Sequence, residues 1–150
     1  MTERVVTIPE AIELVLDMVP DRRLAPNNSG TKSGWTKGPW IEAQRKQAKA
    51  CVENNYTIGD ALESPVSVEV LIYWGKSLKA GKVRARIEQD RRFDWDSCTV
   101  MVKPMIDGAL VDSGILKDDR QIQYGTVKQD IDPGERGYTI IRITNRKSVV

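Results

Sequence analysis

Apolar residues alternate with polar ones in several separate runs, with two helix-forming stretches between them, and this ordering constrains the fold of the chain more than any other feature. In "AIELVLDMVP", Ile12, Leu14, Leu16 and Met18 recur at the two-residue period of a strand and share one face, and Pro20 ends the run. "VSVEVLIYWG" and "KVRARIEQD", separated by a turn containing Gly and Lys, read as two antiparallel strands. "QIQYGTVKQ" and "GYTIIRIT" read as two more, with "DIDPGERG" as the turn between them. After Pro39, "WIEAQRKQAKACVENN" consists mostly of good helix formers, with Trp40, Ala43, Ala50 and Cys51 expected to face inward. A second helix is expected through "CTVMVKPMIDGALVDSG", capped by Ser97, with Val102, Met105, Ile106 and Leu110 toward the core and Gly114 at its end. Pro104 within that segment predicts a kink or a late start. The order β, α, β, β, α, β, β predicts an α+β fold, a mixed sheet with helices packed on one face. At 150 residues, one domain spanning 1–150 is expected.

Composition removes whole classes of function. The chain has no histidine, which excludes Ser-His-Asp and Cys-His nucleophilic machinery, HExxH zinc hydrolysis and histidine acid–base catalysis together. Carboxylate, lysine and metal chemistry remain. No apolar run approaches the ~20 residues that span a bilayer, and "MTERVVTIPE" lacks the features of a signal peptide, so no membrane partner is expected. Cys51 and Cys98 lie far apart and outside any CxxC pattern, which points to a reduced, cytoplasmic setting.

Charge is segregated along the chain. From Asp21 to Lys49 seven basic residues face two acidic ones, and the same counts recur from Gly75 to Arg92. Beyond them, Asp94 to Asp119 holds six aspartates against two lysines. The plain reading is a set of solvated loops and lysine-blunted strand edges. The sharper one is a polyanion held by basic arms above an acidic pocket that holds a cation. Asp94 and Asp96, one residue apart, would project to the same side of an extended backbone, roughly 7 Å apart. With no histidine to help, a hard divalent cation such as Mg²⁺, or Mn²⁺ in its place, is the natural compensation for such a pair. Two other sites fail on inspection. Counting from Asp94, the sixth and twelfth positions hold Thr99 and Met105 instead of the Gly and Glu of an EF-hand loop. "GKSLKAGKV" has five residues between its glycines and Val83 where a phosphate loop needs Ser or Thr.

The pattern Asp94-x-Asp96-Ser97, Lys103, Asp107-Gly108, "LVDSGIL" and Asp118-Asp119-x-Gln121-Ile122 resembles the RusA-type Holliday junction resolvases, well over residues 91–128 and loosely over most of the chain. Ser97 stands where that family has Asn, and the interval from Asp96 to Lys103 is longer than in its shortest members. The resemblance implies a structure-specific endodeoxyribonuclease that resolves branched DNA by paired nicks, working as a homodimer. It also implies that Asp94, Asp96 and Asp119 are the metal-holding catalytic acids and that Lys103 assists them. Arg22, Arg23, Lys32, Lys37, Lys46 and Lys49 are then the expected phosphate contacts, with Trp35 and Trp40 available to stack on unpaired bases. The rival expectation is a DNA-binding protein without catalysis, in which the acidic cluster is structural. Alternation along "RQIQY" places Asp118 and Asp119 on opposite faces, and Asp119 on the polar one if Ile122 faces the core.

Overall fold

The structure, a computed structural model, describes residues 3–5, 11–21, 24, 38–75, 95–132 and 137–145, and for 3–5, 95–98, 131 and 132 it describes the backbone alone. These residues form an α+β fold built on a mixed four-stranded sheet. Its elements are β1 (Glu3–Val5), β2 (Ala11–Leu16), α1 (Gly38–Asn55), β3 (Tyr56–Ile58), β4 (Val66–Gly75), α2 (Trp95–Ile106), β5 (Ile122–Asp132) and β6 (Tyr138–Asn145). The strand order is β2-β6-β4-β5, with β6 antiparallel to both neighbours and β5 parallel to β4. A parallel pair needs a crossover connection, and α2 lies in it. β1 and β3 form a separate parallel pair.

One sheet face carries the core. Leu14 and Leu16 of β2, Val66, Val68, Val70, Ile72 and Trp74 of β4, and Ile141 and Ile143 of β6 are buried, as two-residue alternation requires. Ala48 and Val52 of α1 and Met101, Val102, Met105 and Ile106 of α2 belong to the same cluster. Burying each large aliphatic is worth about 1.5–3 kcal/mol relative to exposure. On the opposite face, Arg142 of β6 bonds Glu13 of β2 at 2.8 Å and reaches Glu69 of β4 at 3.6 Å, and the rings of Tyr73 and Tyr138 stack at 4.6 Å. No helix among the described residues is long and apolar enough to cross a membrane.

Pro39 stands in the first turn of α1, where its missing N–H costs nothing. The buried stripe of this helix is Gln44, Ala48 and Val52, at i, i+4 and i+8. Trp40 and Cys51 pack partly against the core as expected, but Ala43 and Ala50 are exposed. The polar Gln44 hides the true stripe from a reading based on hydrophobicity.

α2 departs from expectation at its start. It begins at Trp95, so Ser97 lies inside the helix instead of capping it, and Asp96 is helical, not extended. Asp94, the other member of the expected pair, lies outside the described residues. Pro104 does not break the helix, which runs on to Ile106 and widens into a π-helical turn, Asp107–Asp112. Gly114, at φ +94°, then stops it in the left-handed conformation that glycine adopts without strain.

The chain next forms a 3₁₀ turn, Asp119–Gln121, before β5. Strand alternation therefore does not reach Asp118 and Asp119, although Ile122 does pack against the core. A bulge opposite Val68 and Val70 inserts one residue into β5, so Ile122 and Tyr124 precede it and Val127 and Gln129 follow it in register with the buried side of β4. The expected strand "KVRARIEQD" lies outside the described residues.

Candidate active site

A cleft of about 260 Å³ opens where the π-turn, the 3₁₀ turn and α1 converge, lined by Arg45, Asp107, Val111, Lys117, Asp118 and Asp119. Three local devices shape it. Gly108 lets the π-turn press against α1: a Cβ there would collide with the carbonyl oxygen of Arg45 and come within 2.8 Å of its Cα. Arg45, on the α1 side of that contact, donates from Nε to Asp112 Oδ2 at 2.9 Å and from Nη2 to Oδ1 at 2.7 Å. The fork holds the Asp112 carboxyl below and the Arg45 guanidinium above their ordinary values.

The third device is Gln121, whose side-chain amide is fully used. Its nitrogen donates to the carbonyls of Leu62 at 2.8 Å and Ser64 at 3.0 Å, and its oxygen accepts from the backbone N–H groups of Lys117 and Asp118, each at 2.9 Å. This fixes the Asp118–Asp119 turn to the segment that leads into β4. Asp118 is consumed locally, since it caps the 3₁₀ turn and binds the Arg120 guanidinium at 2.8 Å, which holds its carboxyl far below the usual range. Asp119 is exposed, and its Oδ2 lies 3.7 Å from Lys103 Nζ.

Lys103 donates in turn to Oδ2 of Asp107 at 3.0 Å, one helical turn further on. Asp107 is only 7% exposed, and its Oδ1 meets no hydrogen-bond partner among the described residues. The Tyr124 hydroxyl is likewise buried without a partner among the described residues, and burial, helped by the charges of Asp107 and Asp119, pushes its pKa up to about 12. Removing such an unpaired carboxylate oxygen from water costs on the order of 1–3 kcal/mol, more than an exposed lysine partner returns.

Of the expected site residues, the structure brings Lys103 and Asp119 together. Asp96 lies seven residues before Lys103 in α2, two turns away and so on the same stripe. Asp94, Arg22, Arg23, Lys32, Lys37 and Trp35 lie outside the described residues, as does the side chain of Asp96. Lys46 and Lys49 stand on α1, paired with Glu42 at 3.5 Å and Glu53 at 4.0 Å. Such exposed i,i+4 pairs are worth less than 1 kcal/mol and yield readily to a phosphate. Lys46 also lines a second cleft, of about 410 Å³, with Gly38, Ile41, Glu42, Arg45 and Asp112, so Arg45 forms the wall between the two.

The sequence motif contained Asp107 and Gln121 but gave neither a role in the site, and Arg45 was not singled out. The i,i+4 spacing of Lys103 and Asp107 was a usable signal for the first; the pairing of Arg45 with Asp112, 67 positions apart, left none. No three acids or cysteines among the described residues stand close enough together to hold a metal ion. In kind, however, the exposed Asp119 carboxylate and the unpartnered Asp107 oxygen are the hard donors that a divalent cation prefers. Compared with protein-family models and with curated proteins, the chain matches none.

Proposed function

We propose that this protein is a magnesium-dependent endonuclease of the RusA type that resolves branched DNA in the cytoplasm. The observation that carries the reading is the approach of Lys103, seven residues after Asp96 in α2, to Asp119 of the 3₁₀ turn, which lines a cleft together with Asp107 and Asp118. A purely structural acidic cluster has no need of an exposed carboxylate beside an exposed ammonium, because such a pair adds little stability.

In this reading Asp94, Asp96 and Asp119 hold Mg²⁺, which when bound neutralises the scissile phosphate and lowers the pKa of a water. Lys103 places positive charge against the phosphoryl oxygens as charge develops on them. Lys46 and Lys49, with Arg22, Arg23, Lys32 and Lys37, grip the duplex arms through phosphate contacts that fix register without reading sequence. A four-way junction has two-fold symmetry and needs paired nicks, so the working form is a symmetric homodimer.

The test is incubation of the purified protein with labelled four-way, three-way and linear DNA, with Mg²⁺ and with EDTA. Cleavage of branched DNA that EDTA abolishes, with binding retained, is expected. Binding without cleavage under every metal condition would instead establish the non-catalytic alternative. Asp96→Asn keeps the size of the side chain and removes its charge, and should bind junctions without cutting them.

A further inference from the structure

Asp107 is the only buried acidic side chain among the described residues, and its arrangement is poorly suited to stability alone. One of its oxygens accepts a single hydrogen bond from a lysine whose side chain is 52% exposed, and the other has no partner among the described residues. An apolar side chain of similar volume would fill the position at lower cost. Such local conflicts gather at functional sites.

The surroundings say what the carboxylate does. Asp107 opens the π-turn, and Gly108, immediately after it, is pressed against the backbone of Arg45, so the turn cannot slide along α1. The Asp107 carboxylate is thus mounted on a fixed backbone, with Lys103 Nζ at 3.0 Å and Asp119 on the far side of that ammonium at 3.7 Å. A lysine on an open surface samples many rotamers; this one is drawn to one place between two carboxylates. Asp107 is not a partner of Asp96 in binding one ion, because eleven residues of helix separate the two by about 16 Å along the axis.

We propose that Asp107 is a positioning residue, a buried anchor that holds the Lys103 ammonium beside Asp119, where the scissile phosphate of the nuclease reading arrives. The proposal rests on that reading and names the residue on which the placement of its lysine depends.

The test compares Asp107→Leu, Asp107→Asn, Lys103→Met and the double variant Lys103→Met/Asp107→Leu. Three readouts are taken: thermal unfolding, the NMR signal and hydrogen exchange of the Lys103 ammonium in DNA-free protein, and single-turnover cleavage alongside junction affinity. Asp107→Leu should unfold no earlier than the wild type, lose the slowly exchanging Lys103 signal and bind junctions within about 2-fold, while cleaving about 10- to 100-fold more slowly. The double variant should be no slower than Lys103→Met alone, because both substitutions remove the same function. Asp107→Asn keeps the volume and one acceptor, and supplies the same comparison should the leucine variant not fold. Wild-type cleavage by both Asp107 variants, losses that multiply in the double variant, or an unchanged Lys103 signal would each overturn the proposal. If the wild type cuts no branched DNA, the nuclease reading fails, and the lysine signal alone still decides whether Asp107 orders Lys103.

Discussion

Replacing Gln121 probes the most tightly specified joint of the site. Its amide makes four hydrogen bonds of 2.8–3.0 Å, two given to carbonyls before β4 and two taken from the backbone of the Asp118–Asp119 turn. At about 0.5–1.5 kcal/mol net for each bond, and with water able to repair the more exposed half, Gln121→Leu should cost about 2–4 kcal/mol. For a chain of this size that lowers Tm by roughly 5–12 °C, measurable by circular dichroism with urea unfolding at 25 °C as a check. Gln121→Glu is sharper, because it keeps the shape and the two acceptors but turns a carboxylate oxygen toward the carbonyls of Leu62 and Ser64. Burial against those oxygens raises the new carboxyl's pKa, so its protonated form is the stable one, and part of the loss should be recovered as pH falls through that raised pKa, fully so below the unfolded value of about 4.3. A cost under about 0.5 kcal/mol for both variants would show that the amide does not hold the turn.

Other expectations follow from single contacts. Gly108→Ala should destabilise by about 2 kcal/mol despite the better helix propensity of alanine, because backbone must part from backbone; an unchanged Tm would contradict the close approach of the π-turn to α1. One of the four tyrosines should titrate near pH 12 in an alkaline absorbance scan, and that step should vanish in Tyr124→Phe. The neutral Tyr124 supports the fold below its unfolded pKa of about 10, and this support is lost as pH rises through about 12. Since the hydroxyl has no partner, Tyr124→Phe should leave neutral-pH stability unchanged or raise it by up to about 1 kcal/mol, and a clear fall in Tm would reveal a bond to it. Neutralising Lys46 and Lys49 together should flatten the log–log salt dependence of junction binding by roughly 2, whereas an unchanged slope would place them off the DNA path.

Much of the scaffold was legible because its signals are local. Alternation marked β2, β4 and β6, Pro39 marked the start of α1, and Gly114 marked the end of the second helical segment. The errors share a physical cause, which is that tertiary contacts overrode local patterns. The polar Gln44 is buried in α1, while Ala43 and Ala50, expected to face inward, lie on its exposed side. Pro104 is accommodated within α2, and a π-turn follows it that no periodicity announces. In the site, Lys103 and Asp119 could be chosen from motif spacing, but the reason to prefer Asp119 was wrong in its mechanism. A 3₁₀ turn, not strand parity, separates the two aspartates, and Arg120 occupies Asp118. The four aspartates of the acidic stretch whose side chains are described are locally compensated: Asp107 and Asp119 share Lys103, Asp112 has Arg45 and Asp118 has Arg120.

The most direct test of the nuclease account is single-turnover cleavage of a labelled synthetic four-way junction in Mg²⁺, comparing wild type, Asp119→Asn and Asp118→Asn. The account predicts paired nicks by the wild type, loss of cleavage by about 100-fold or more in Asp119→Asn with binding preserved, and most of the activity retained in Asp118→Asn, whose carboxylate is held by Arg120. Cleavage at the wild-type rate by Asp119→Asn, or a far larger loss in Asp118→Asn, would contradict it.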